Sequence, residues 1–457
     1  MTNPITSELE RKRGKRRIRE SSCLGWQSSY VNIFNNNTKE QYRKNISYSF
    51  STRSLLFLNM RLRDESSSSS GVQISVHSSI ALDETIHDVK WIPSSARFCV
   101  LGAHARGTGS LQVFELENTH PLDEEASSLS PLSSSPAKPS SRLVMNAKGK
   151  CEHDHAMKCG TFAGSDAIGR EFIAGDFSGQ LLCWDVEYLT KPTRVVKNAH
   201  ESIINCIDGC YNQHSKVIVT GSRDGSVKVW DFRRKQSDPV VNFAPSATTK
   251  VSPECWSVNV GNAKNDSEPM ILAGYSDGTV KMFDLRRVKN SGEYSTPLYW
   301  ETNVDRGVCG VEFDRKNIEM NKFVVTCLES QSKVFDARTF NPKRGGFSSS
   351  VVTEVMENGP TIWGVKHSPF NREISVFLGG DGTLSVHKYA YPKQRRLQLN
   401  EEECVGNAGQ THLLVESKVS TQPISAFDWN KDKEGLAICS SFDSRIRLLF
   451  ITGMNKL

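Results

Sequence analysis

With 457 residues and 37% hydrophobic side chains, the chain can hold two or three ordinary domains or one large β architecture with tails. Its formal net charge is +6, but residues 1–63 alone carry +9, which leaves −3 for the remainder. A polyanion footprint across the folded part is therefore not implied, and the basicity belongs to a tail.

That tail opens "MTNPITSELERKRGKRRIRE", with seven basic residues in the nine from Arg11 to Arg19. It reads as a disordered basic arm over residues 1–70, ending in the flexible spacer "DESSSSSG" (64–71). No apolar segment follows the basic cluster, so a signal peptide is not expected, and "LLFLNM" (55–60) is far short of the ~18 residues that span a bilayer. The 12 cysteines sit singly in apolar runs such as "RFCVLG" and "LAICSS", the pattern of buried free thiols in a reducing compartment.

From residue 71 onward three short strand patterns recur in fixed order. The first series is "HDVKWIP" (87–93), "MKCGTF" (157–162), "INCIDG" (204–209), "WSVNVG" (256–261), "CGVEFD" (309–314), "WGVKHSP" (363–369) and "SAFDWN" (425–430). Each is followed by an apolar run ending in a turn, as in "VIVTGSR" (217–223) and "MILAGYS" (270–276). A third, alternating run comes next, as in "GQLLCWDV" (179–186), "GSVKVWDF" (225–232) and "GTVKMFDL" (278–285). The junctions "SRDG", "YSDG" and "GGDG" predict two-residue Asp-Gly hairpin turns. The anchor positions Trp184, Trp230, Phe283, Phe335 and His387 are 46, 53, 52 and 52 residues apart, a little above the ~40–45 of a WD-type blade.

Seven such units, each completed by an outer strand, predict an all-β fold over residues 71–457: a closed seven-bladed WD-repeat β-propeller. The last third strand ends near Ile451 with only "TGMNKL" remaining, so the outer strand of the final blade is expected from "VQISVHS" (72–78), joining the two ends of the chain. A disordered Ser/Pro-rich loop near 118–141 and an insertion near 391–410 interrupt blades one and six.

Catalytic signatures are missing: there is no nucleophile elbow, phosphate loop or HExxH helix. "CEHDHAMKC" places Cys151, His153, His155 and Cys159 near one another, but the spacing fits no usual zinc site, and no metal or cofactor is expected. The first residues of the innermost strands should instead ring the channel mouth: His87, Lys158, Ile204, Trp256, Cys309, Trp363 and Ser425. The turns before the third strands add Arg106, Phe177, Arg223 and Tyr275 on that face. These residues are the expected protein-binding surface. The charged stretch "EFDRKNIEMNKF" (312–323) falls on the opposite face, where Arg315, Lys316 and Glu319 are candidates for a second contact.

"GSRDGSVKVWD" (221–231) resembles the closing motif of WD repeats, in which a His–Asp–Ser/Thr–Trp set clamps a blade; His200, Asp208, Thr220 and Trp230 are assigned to it. More specifically, "GDFSGQLLCWD", "HESIINCIDG", "AGYSDGTVKMFDLR" and "WETNVDRGVCGVEFDRKNIEMNK" are similar to Monad-type WD-repeat proteins of the axonemal dynein assembly factor group. The similarity runs from about residue 80 to the C-terminus. It implies a non-enzymatic cytoplasmic adaptor working with a co-chaperone assembly of RuvB-like ATPases and prefoldin-like subunits on axonemal dynein chains, with a weaker link to apoptosis. The alternative is a propeller subunit of another assembly, such as a substrate receptor of a ubiquitin ligase. No membrane or nucleic-acid partner is expected.

Overall fold

The computed structural model describes residues 71–119, 142–162, 170–209, 216–235, 237–245, 252–262, 269–287, 298–316, 318–354, 356, 359–400 and 403–456. The expected basic arm and most of the Ser/Pro loop lie outside the described residues. The alternating runs form seven four-stranded antiparallel sheets. Their innermost strands are Thr85–Trp91, Met157–Thr161, Ile204–Gly209, Cys255–Gly261, Val308–Phe313, Ile362–His367 and Ile424–Trp429. Each touches the next, and the seventh touches the first, so the blades close into a ring. Among the described residues there is no α-helix.

Closure occurs where the sequence places it. Gln73–Ala81 pairs with the third strand of blade seven, Arg445–Thr452, with Ile74 opposite Ile451 and Ile80 opposite Ile446. Val72 is fully buried against Ile451 and Met454. Burial of both sheet faces between neighbouring blades explains the apolar second strands, such as Arg97–Ala103 and Met270–Tyr275. Two turn details differ from expectation. "SRDG" is a three-residue connection in which Gly225 N–H bonds Ser222 O and Ser222 N–H bonds Ser226 O. Only the glycine is left-handed (φ 82°), so a type I turn plus an αL residue replaces the two-residue hairpin. The 391–410 insertion also contains a small ribbon, Arg396–Asn400 paired with Glu403–Gly406, which packs on the third strand of blade five.

Polar latches near the axis join the blades. An acidic or amide side chain on one innermost strand accepts a backbone N–H from the next. Asp88 takes Gly160 N–H (2.9 Å), Asp208 takes Val260 N–H (2.8 Å) and Asn259 takes Phe313 N–H (2.9 Å). Glu312 takes His367 N–H (2.6 Å), and Asp428 takes Trp91 N–H across the closing junction (2.8 Å). Inter-blade register is thus fixed by directional bonds as well as by packing.

Candidate functional site: the bulge ring at the channel mouth

Every innermost strand breaks register at the same place. The shifts fall at Ile86/Asp88, Met157/Cys159, Ile204/Cys206, Cys255/Ser257, Val308/Gly310, Ile362/Gly364 and Ile424/Ala426. The skipped residues are His87, Lys158, Asn205, Trp256, Cys309, Trp363 and Ser425. A bulge leaves one residue unpaired and turns its side chain away from the ladder, which is how the fold re-aims seven side chains at the channel mouth. All are partly exposed except Asn205, which is nearly buried.

Six of the seven expected ring residues occupy these positions. Ile204 does not: it is fully buried, and the ring position in blade three belongs to Asn205. Asn205 accepts from Lys158 Nζ (2.7 Å) and donates to Cys255 O (3.0 Å). Burial lowers the pKa of Lys158, and it takes His87 to about 4, with the Lys158 charge contributing.

The turns of the same face carry a second series. Phe177, Arg223, Ser276, Leu328, Gly380 and Phe442 each donate the backbone N–H to the segment entering the blade's innermost strand, for example Arg223 to Ile203 O (3.0 Å) and Phe442 to Pro423 O (3.0 Å). Phe177 and Arg223 are placed as expected, and Arg106 is exposed in the longer turn of blade one. Tyr275 is one residue early: it is buried against the blade-four core, and Ser276 holds the tip. Leu328 and Phe442 were missed, although each follows its second strand at the same offset as Arg223.

The clamp of blade three is real but uses a different carboxylate. Trp230 Nε1 donates to Thr220 Oγ1 (2.8 Å), which lies 2.7 Å from His200 Nε2, while His200 Nδ1 is 3.1 Å from Asp224 Oδ2. Burial lowers the His200 pKa, so the neutral ring accepts from Thr220 and donates to Asp224. Asp208 serves the blade-four latch instead and also receives Lys316. A second Asp two residues after the "GS" of the turn was the signal, and the "IDG" motif concealed it.

The opposite-face candidates are largely engaged in the fold. Lys316 reaches Asp208, Arg315 is half-buried, and Glu319 is exposed while its backbone O accepts from Arg372 (2.6 Å). Their neighbours Asp314 and Lys322 are buried together at 3.4 Å, with Arg372 Nε 2.9 Å from Asp314 and the Tyr389 ring 5.0 Å from the ammonium. Within "CEHDHAMKC", His153 pairs with buried Asp176 (3.2 Å) while Cys159 Sγ faces Ile204 O (3.5 Å), and no metal-competent cluster occurs among the described residues.

Two rings of side chains around a closed seven-bladed disc define a WD-repeat β-propeller, and residues 190–231 match the WD domain, G-beta repeat family. That match spans the outer strand of blade two and the first three strands of blade three, the same offset by which residues 73–81 complete blade seven. The chain is 42% identical over 389 residues to dynein axonemal assembly factor 10 of Chlamydomonas reinhardtii, covering 84% of this chain and 98% of that protein. Its counterparts in Homo sapiens and Xenopus tropicalis are each 41% identical over the same coverage. The chain belongs to the dynein axonemal assembly factor 10 family.

Proposed function

We propose that this protein is a non-enzymatic cytoplasmic adaptor in the preassembly of axonemal dynein. In this reading it holds dynein chains against a co-chaperone complex of RuvB-like ATPases and prefoldin-like subunits. The observation that carries the reading is a 98% span of an assembly factor by a chain whose seven bulges aim side chains at one mouth. A rigid disc with partly exposed Trp256 and Trp363 on one face suits protein capture. No helix among the described residues is long and apolar enough to cross a membrane.

The test is affinity purification of the full chain from ciliated cells, wild type beside Trp256→Ala/Trp363→Ala. Wild type should recover dynein chains and RuvB-like ATPases, with recovery reduced in the double variant. Recovery of neither partner rejects the adaptor reading, and recovery of ubiquitin-ligase subunits in their place replaces it. Undiminished recovery by the double variant moves the site away from the mouth.

A further inference from the structure

The mouth is not uniform. Over blades two and three its ring is polar, with Lys158 bonded to Asn205. Over blades four to six it is apolar, and blade seven places the small Ser425 in the ring with Phe442 at its turn tip. Trp256 and Trp363 occupy equivalent bulges on either side of Cys309, whose thiol pKa burial raises. Leu328 and Phe442 stand at the turn tips above them. Gly307 lets the Trp256 indole and Leu328 pack against the backbone, because a Cβ there would lie 2.8 Å from Trp256 Cζ3 and 3.1 Å from Leu328 Cδ1. Phe442 is 39% exposed and meets the Trp363 ring edge-on at 6.3 Å. A small side chain, Cys309, thus holds the ring position between two indoles.

The rim of this arc is acidic. Glu254 and Glu329 are neutralised by Arg223 (3.0 Å) and Arg306 (2.6 Å), and Asp443 by Arg447. The carboxylates of Asp277, Asp305 and Asp381 have no ion-pair partner among the described residues: those of Asp277 and Asp381 meet Thr279 N–H and Thr383 Oγ1, and Arg306 bonds Asp305 only at its carbonyl.

We propose that the arc over blades four to seven binds an extended segment of a partner protein that seats one large aliphatic or aromatic side chain over Cys309, between Trp256 and Trp363, and flanks it with Lys or Arg. The proposal rests on the mouth being the partner face, and adds the chemistry of what it takes. Indoles around a small residue supply the desolvated anchor. The unpaired carboxylates supply register and a faster encounter, and exclude acidic segments.

A phage-displayed library of random 12-residue peptides, panned on the full chain with Cys309→Phe as counter-selection, tests this directly. The expected consensus is a Leu, Ile, Phe or Trp bracketed by basic residues. The best peptide, labelled with fluorescein, should lose at least about tenfold in affinity to Cys309→Phe and to Leu328→Asp, both folded by circular dichroism. It should also weaken as NaCl rises from 50 to 300 mM. An acidic or purely polar consensus overturns the proposal, as does failure to select any peptide that separates wild type from Cys309→Phe. Either failure would leave recovery of dynein chains in the purification untouched, so the two readings fall separately.

Discussion

At the scale of single residues, the blade-three clamp shows what a short polar chain contributes. Thr220 Oγ1 bridges two buried groups, so Thr220→Val, which keeps the volume, strands both Trp230 Nε1 and His200 Nε2. A loss of about 1–3 kcal/mol in urea unfolding is expected. Blade two has the complementary defect: Ala174 stands opposite Leu182 as Thr220 stands opposite Lys228, and Trp184 Nε1 is buried with no partner among the described residues. Ala174→Ser should give that indole an acceptor and raise stability by up to about 1 kcal/mol. His387 occupies the same anchor position in blade six, 4.6 Å from the Phe377 ring, and burial lowers its pKa to about 4. Between pH 6.5 and 4 the unfolded chain takes up a proton that the folded chain refuses, so stability falls as the pH drops through that window. His387→Phe should remove this residue's share of the slope and leave that of His87, measured as an acid sensitivity smaller by on the order of 3 kcal/mol at pH 4.

At the scale of elements, the closing strand is the sharpest case. Gln73–Ala81 is continuous with neither the rest of blade seven nor the C-terminus, yet it supplies that blade's outer edge. A chain beginning at residue 66 retains it and a chain beginning at residue 80 does not. The second should melt well below the first, and coincident melting would show that the pairing contributes nothing. The second strands of the blades were legible in the sequence because burial on both faces writes apolar runs at regular spacing, and because seven copies average out local ambiguity. The one-residue error at Ile204 comes from a bulge, whereas that at Tyr275 comes from a second strand running one residue further than its apolar pattern announces. A bulge inserts an unpaired residue that leaves no trace in an apolar pattern, so the residue facing the channel can be read only from the hydrogen-bond ladder. The misassigned Asp208 and the structural use of Lys316 have another physical origin. Latches between blades join residues 52 and 108 positions apart, and no local motif announces such a pair.

At the scale of the whole molecule, the fold is a ring held by two mechanisms, face-to-face packing reinforced by polar latches at five junctions and an overlap at one, where the blade takes a shared strand from the other end of the chain. Latches such as Asp428 to Trp91 N–H operate across the closing junction as they do elsewhere, so the ring would be geometrically complete without the overlap. The overlap's separate effect is to make opening that junction require the stripping of an entire strand from its sheet. Circular permutation isolates the two. Gly71 and Gly453 are in contact, so residues 71–457 can be rejoined there by a short linker. New ends placed between Arg287 and Leu298 make blade four the shared blade, with its outer strand contributed from the other end of the chain. New ends placed between Phe243 and Cys255 leave every blade continuous and the ring closed by packing and latches alone. The first permutant should melt within a few degrees of the unpermuted propeller. The second should melt lower, by an amount corresponding to about 1–3 kcal/mol, because its junction can part without breaking a sheet. Equal melting of the two would assign closure wholly to the inter-blade faces and their latches, with the shared strand only a record of where the chain begins its circuit.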